Sequence, residues 1–200
     1  MENTNLRCLS LLNHFFKRFF DISMSFIGLI LSGWIIVLAF FLATIDTRKG
    51  GIFTQSRIGQ YGKPFKVIKI RTMRDIRGVD TNVTTLSDPR ITKLGFFFRK
   101  TKIDELPQLI NVFLGKMSFV GPRPALFNQD DLITLRTEKG VDKLLPGITG
   151  WAQVNGRDEL SIPDKVALDV EYLNHQSFWF DMKILWMTFL KVVKRDGVSH

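Results

Sequence analysis

From Ile22 to Ile45 the chain runs for 24 residues without a charge. As a helix, such a run reaches about 36 Å, enough to cross the hydrocarbon of a bilayer. Basic residues flank it on both sides, Arg7, Lys17 and Arg18 before and Arg48, Lys49 and Arg57 after, so loop charge gives no asymmetry from which to orient a span. Ser32 and Gly33 lie near its middle, where small residues permit a kink. The pattern predicts a re-entrant membrane helix broken at Ser32 and Gly33, with both ends on the cytoplasmic face. A plain span and a buried core helix are the alternatives. A cleaved signal peptide fits poorly, because the apolar region exceeds about 7 to 15 residues and no small-x-small site closes it before Asp46.

Gly50 and Gly51 end this helix, and the alternation that follows predicts two strands, Ile52 to Ile58 and Phe65 to Arg71, joined through Gly59, Gly62 and Pro64. Period-two alternation puts Lys69 and Arg71 on one face, opposite Ile68 and Ile70. Two cations there form either a solvated edge or an anion cradle. Residues 72 to 90 are polar and read as a lid-like loop. Next, Phe96, Phe97 and Phe98 run into Arg99 and Lys100. Three consecutive phenylalanines cannot share one core, which places some of them at a membrane interface.

The stretch from Thr101 to Pro124 is the centre of the pattern. Asp104 and Glu105 precede an apolar helix pattern of Leu106, Ile110, Val112, Phe113 and Leu114, closed at Gly115. Beyond it Arg123 is held between Pro122 and Pro124, and prolines stiffen the backbone and keep the preceding residue extended. Gly147, Gly150 and Gly156 punctuate a loop carrying Trp151, Gln153, Asn155 and Arg157. That loop either holds a base or sugar by stacking and amide hydrogen bonds or is a tight structural turn. A helix over Pro163 to Asn174 carries Asp169, and the last segment is amphipathic, with Met182, Leu185, Trp186, Phe189, Val192 and Val193 between Lys183, Lys191, Lys194 and Arg195. It is a membrane-surface helix or a core helix, and its tryptophans and lysines favour the surface.

Composition narrows the class. At 200 residues and 45% hydrophobic content the chain holds one ordinary domain plus an appendage. We divide it into a basic segment with the membrane helix (residues 1–46) and a catalytic domain (residues 47–200). A net charge of +9 favours polyanionic neighbours: anionic lipid, a phosphorylated substrate or nucleic acid. Nucleic acid is the weakest of these, because the aromatics do not interleave with basic residues in a recognised binding motif. Cys8 is the single cysteine and His14, His175 and His200 are scattered, so neither an intrachain disulfide nor a zinc-type cluster is expected.

Asp104 is either a helix N-cap, with Pro107 harmless in the first turn, or a chemical group. A helix N-terminus together with Arg99, Lys100 and Lys102 is expected to keep it ionised and weakly basic. Such a carboxylate is a poor general base but a competent nucleophile toward a phosphoanhydride, because the acyl phosphate it forms can pass the phosphoryl group on. Consecutive helix positions lie about 100° apart, so Glu105 has a different role. A second pair, Asp158 and Glu159, is not excluded by spacing. The Asp-x-Asp pattern of nucleotide-sugar metal sites is absent, Asp169-Val170-Glu171 being the nearest approach.

From Lys17 to His200 the sequence resembles the bacterial sugar transferase family, the small monotopic phosphoglycosyl transferases. The matching stretches are KRFFD, FTQSRIG, KIRTM, DELPQLINVFLGKMSFVGPRP, PGITGWAQVNGR and ILWMTFLKVVKRDGVSH. The resemblance implies an α/β fold: a compact catalytic domain with a short β-hairpin and several helices, anchored by the N-terminal re-entrant helix and amphipathic surface helices. It implies Mg2+, with Asp104 as a metal ligand, and a bacterial inner membrane location with the domain on the cytoplasmic face. It further implies a two-step transfer. Asp104 attacks the sugar-linked phosphate of a UDP-sugar, releasing UMP, and undecaprenyl phosphate then takes the phosphosugar. Glu105 assists, and Lys69, Arg99, Arg123 and Asp169 occupy the positions the family uses around phosphate and metal. Arg71 and Arg157 are added here as candidate substrate contacts, and the donor sugar is expected to be N-acetylated. Minimal members often have Ser-Pro where this chain has Gly33-Trp34, and Arg where it has Leu145. The rival from another class is a membrane-tethered basic scaffold that binds lipid without catalysis; assembly into a homo-oligomer is left open.

Overall fold

The computed structural model describes residues 2–75, 88–156 and 159–194, without the side chains of residues 2–12 and 193–194. Arg157, Asp158 and most of the polar stretch after Arg71 therefore lie outside the described residues. Helix α1, Glu2–Thr47, is 46 residues long and helical through Ser32 and Gly33. The expected break there is not seen. Three of the four hydroxyls in the apolar run are turned onto the preceding turn: Ser25 donates to the Asp21 carbonyl, Ser32 to Gly28, and Thr44 to Phe40. Such bonds satisfy the hydroxyl locally and bend a helix without breaking it.

The buried-core alternative for α1 is overturned. The most apolar 18-residue stretch within its segment Asn13–Thr47 has a mean hydropathy of 2.6, and only 11% of that stretch is buried. Trp34 at 68% and Leu31 at 69% exposure stand at mid-run, an apolar surface of a kind soluble proteins avoid. Both halves nevertheless rest on the same domain. Phe26 stacks on Phe113, and Gly28 lies against Leu109. Ala39 and Ala43 pack into a cluster with Ile70 and Phe98.

Strands β1 (Ile52–Ile58) and β2 (Pro64–Ile70) form the expected hairpin, paired from Ile52↔Ile70 to Ile58↔Pro64. Gly51 sets it against α1: a Cβ there would stand 2.1 Å from the Phe40 carbonyl oxygen. Helix α2, Lys93–Thr101, leaves Phe96 and Phe97 exposed and buries Phe98, the division three consecutive phenylalanines require. After a 3-10 turn, Ile103–Glu105, come α3 (Gln108–Phe113), β3 (Ser118–Val120) and β4 (Ala125–Leu126). β4 adds to the free edge of β1, giving the order β2-β1-β4. Helix α4 (Asp130–Glu138) leads to β5 (Gly147–Thr149), which pairs parallel with β3.

The glycine loop becomes the short α5 (Trp151–Val154), followed by α6 (Ile162–His175), capped by Ser161, and α7 (Phe178–Lys194). α7 answers both expectations for the last segment. Ile184 and Asp181 are buried in the domain, whereas Trp179, Trp186, Phe189 and Val192 are exposed. A cluster of Val120, Val141, Leu144, Val154, Tyr172 and Ile184 is the core beneath β3 and α6. Lys17 ties α1 to this core, donating to Asp181 at 2.6 Å and to the Val120 carbonyl at 2.9 Å, while Tyr172 donates its hydroxyl to Asp181 at 2.6 Å.

Candidate active site

The site begins where α2 ends. Lys102 adopts the left-handed conformation, φ 60° and ψ 15°, uncommon for a residue with a Cβ, and turns the chain abruptly into the 3-10 turn that carries Asp104 and Glu105. Asp104 is not a helix cap. α3 starts after Pro107 with no side-chain cap bond, and Asp104 is only 7% exposed, its Oδ1 buried with no hydrogen-bond partner among the described residues. A buried polar atom left without a partner is rare and costly, so it points to a role outside folding.

The electrostatics also correct the expectation of a weakly basic aspartate. Burial first, and then the neighbouring Glu105 carboxylate, push the Asp104 carboxyl up to about 6; Lys69, Lys102 and Arg99 oppose this. Desolvation exceeds the help of the cations because Asp104 sits inside the turn, away from the amides of a helix N-terminus.

Around this turn the hairpin supplies cations. Lys69 on β2 approaches Glu105 at 3.4 Å. Arg57 on β1, Lys69 and Arg123 line one cleft with Glu105, Gln108 and Pro124. Burial, and then the charge of Arg123, lower Arg57 to about 10, with Glu105 opposing. Two arginines and a lysine crowded to this extent favour an anion between them. Arg99 donates to Thr72 at 2.9 Å, and its lowered pKa, due first to burial, is offset by Asp104, Asp88 and Glu105. It thus stands within the same electrostatic group.

Other expected residues are placed elsewhere. β2 ends at Ile70, and Arg71 folds back onto the Gly50 and Ile52 carbonyls and over the Phe53 ring; it is a brace at the root of the hairpin. Asp169, 2% exposed, receives Nε and Nη2 of Arg136 at 2.9 and 2.7 Å and does not line the cleft. Trp151 donates to Glu171 at 2.8 Å, packs on Phe180 and lies under Lys183. Asn155 donates to the Trp151 carbonyl, so the described part of the glycine loop has the character of a tight structural turn.

Comparison with known proteins decides the family. The sequence profile described as bacterial sugar transferase matches residues 12–195. The chain belongs to the bacterial sugar transferase family. It is 42% identical over 188 residues to the Bacillus subtilis (strain 168) protein named uncharacterized sugar transferase EpsL, covering 92% of this chain and 90% of that one. It is 41% identical over 192 residues to the UDP-glucose:undecaprenyl-phosphate glucose-1-phosphate transferase of Escherichia coli (strain K12), covering 92% of this chain. It is 35% identical over 206 residues to the undecaprenyl-phosphate galactose phosphotransferase of Salmonella typhimurium, again covering 92% of this chain. The chain spans only 41% and 42% of these last two relatives.

Among the residues the sequence reading did not single out are Arg57, which lines the cleft, and Arg136, which holds the Arg123 carbonyl. Arg57 had a signal. In an antiparallel hairpin, opposed residues share a face, and the register sets Lys69 opposite Phe53, Val67 opposite Gln55 and Phe65 opposite Arg57, so alternation brings Arg57 to the face of Lys69. Arg136 had none, because its partners are distant in sequence. For the implied divalent cation, the described residues contain no group of three His, Cys, Asp or Glu side chains. The partnerless Oδ1 of Asp104 beside Glu105 nevertheless suits Mg2+, which commonly binds through one or two carboxylates plus substrate phosphates.

Proposed function

We propose that this protein transfers a sugar phosphate from a UDP-sugar to undecaprenyl phosphate at the membrane surface, with Asp104 as the nucleophile. The observation that carries the reading is the buried Asp104 carboxyl, its Oδ1 without a partner among the described residues, next to Glu105, which lines a cleft with Arg57, Lys69 and Arg123. A lipid-binding scaffold has no use for such a group.

In the first step a carboxylate oxygen of Asp104 attacks the sugar-bearing phosphorus, the bond to the bridging oxygen breaks and UMP leaves. In the second an oxygen of undecaprenyl phosphate attacks the same phosphorus, the acyl phosphate bond breaks and the Asp104 carboxylate is restored. Glu105 accepts the acceptor's proton where that phosphate arrives protonated. Lys69, Arg57 and Arg123 bind the diphosphate oxygens and hold the attack in line, the chief requirement of phosphoryl transfer. Asp104 and Glu105 would hold Mg2+, which when bound would screen the charge of those oxygens.

α1 anchors the domain, with α2 and α7 presenting Phe96, Phe97, Trp179 and Trp186 to the interface and the net charge of +9 favouring anionic lipid. Docking of both halves of α1 on one domain supports a re-entrant path with the domain on the cytoplasmic face, made by bending an unbroken helix. The donor we propose is an N-acetylated UDP-hexose, and the product begins a membrane-borne glycan.

The test is UMP release by lipid-embedded protein given Mg2+, undecaprenyl phosphate and a panel of UDP-sugars that includes the glucose and galactose donors. Without acceptor, mass spectrometry should find a sugar phosphate on the wild type that is absent from Asp104→Asn. No release from folded protein with any donor would reject the reading.

A further inference from the structure

The segment that presents Arg123 has an unusual difficulty. Pro122 and Pro124 have no N–H, so this stretch can be fixed to its surroundings mainly through its carbonyls. All three are taken. The Pro122 carbonyl accepts from the Gly147 amide at 2.9 Å, the Arg123 carbonyl from Arg136 Nη1 at 2.8 Å, and the Pro124 carbonyl from Arg57 Nη1 at 3.2 Å. The Arg123 guanidinium itself forms no hydrogen bond or ion pair among the described residues and lines the cleft. Its backbone therefore sets where the side chain starts and how far into the cleft the guanidinium reaches.

Of the three contacts, the one at Arg123 itself comes from a built arrangement. Arg136 on α4 directs Nε and Nη2 to a single oxygen of Asp169 on α6, leaving Nη1 for the Arg123 carbonyl. The side chains of the pair are 11% and 2% exposed, and α4 and α6 are locked by Leu132 and Val166 packed with Ala125 of β4. Asp169 compensates the buried guanidinium, whose planar fork then reaches two acceptors at once, which a lysine cannot reproduce.

We propose that the Arg136–Asp169 pair is the positioning element for Arg123, fixing how far its guanidinium reaches into the cleft and so the affinity for the donor's diphosphate. This rests on the transfer reading above and gives Asp169 a role through Arg136, with no contact to phosphate or metal.

The experiment measures UDP-sugar and UMP binding by calorimetry, and UMP release, for lipid-embedded wild type, Arg136→Lys, Arg123→Ala and the double variant. Arg136→Lys keeps a cation beside Asp169 but loses the fork. It should weaken nucleotide binding and raise the donor KM by about tenfold, with a smaller change in kcat and none in the acceptor KM. In the Arg123→Ala background it should add nothing, because residues acting through one another are not additive. Asp169→Asn, which keeps the shape and leaves Arg136 charged, should show the same non-additivity and provides the test if Arg136→Lys fails to fold. Equal effects with and without Arg123, or a folded Arg136→Lys that binds as wild type does, would overturn the positioning role alone. Wild type that binds no UDP-sugar would overturn the transfer reading and this inference with it.

Discussion

Asp104 has an ordinary carboxyl value of 3.8 when exposed and about 6 in the fold, and this difference couples chemistry to stability. Between those two pH values the folded protein keeps a proton that the unfolded chain has lost, so stability falls as pH rises through the window and the penalty is complete above it. Asp104→Asn is therefore expected to melt higher than wild type at about pH 7.5, by the equivalent of about 3 kcal/mol, and to lose most of that advantage at about pH 4. Chemical denaturation at both pH values checks it. Activity has the opposite sign, since attack requires the carboxylate. UMP release per free enzyme should drop about tenfold per pH unit below about 6. Glu105→Gln removes a charge that raises Asp104, so whatever rate it retains should have this acid limb displaced to lower pH. At this scale the motif revealed which aspartate mattered but not its basicity. The cations near Asp104 are visible in the sequence, whereas the burial that outweighs them is created by α1, α2 and β2 closing around the turn.

Among the elements, the hairpin and the last two helices were legible because alternation and three-to-four spacing persist over many residues. β3 and β5 were not, because three residues each carry no period and a parallel pair joins segments far apart. Their junction depends on glycines. The Gly121 amide donates to the Thr149 carbonyl at 2.9 Å. A Cβ at Gly150 would lie 2.1 Å from the Gly121 carbonyl oxygen, and one at Gly121 would lie 2.3 Å from that of Leu145. These obstacles are backbone and cannot rotate away. Gly150→Ala should cost about 2 kcal/mol in a denaturant melt and weaken donor binding as well, because Gly121 leads directly into the segment that presents Arg123.

For the whole molecule, α7 is expected to add its exposed rings to the membrane binding proposed for α1. Replacing Trp179 and Trp186 with serine removes exposed rings without touching the buried Asp181 and Ile184. The expected result is an unchanged melting temperature, with weaker association of the intact protein with anionic vesicles, measured by co-sedimentation. What holds α1 to the domain was the least legible feature. Lys17 and Asp181 are 164 residues apart, and nothing local in either segment announces the other.

That separation governs how the protein is made. During synthesis the apolar helix emerges before the domain it packs against, and Lys17 must wait for 164 further residues before Asp181 arrives. Until then the helix trails an unfinished domain, with Tyr172 and Val120 also lacking the contact that joins them to α1. Contacts of such long range form late. Chains arrested before Phe178 should therefore reach the bilayer yet remain open to proteolysis, while chains completed through α7 become resistant in one step.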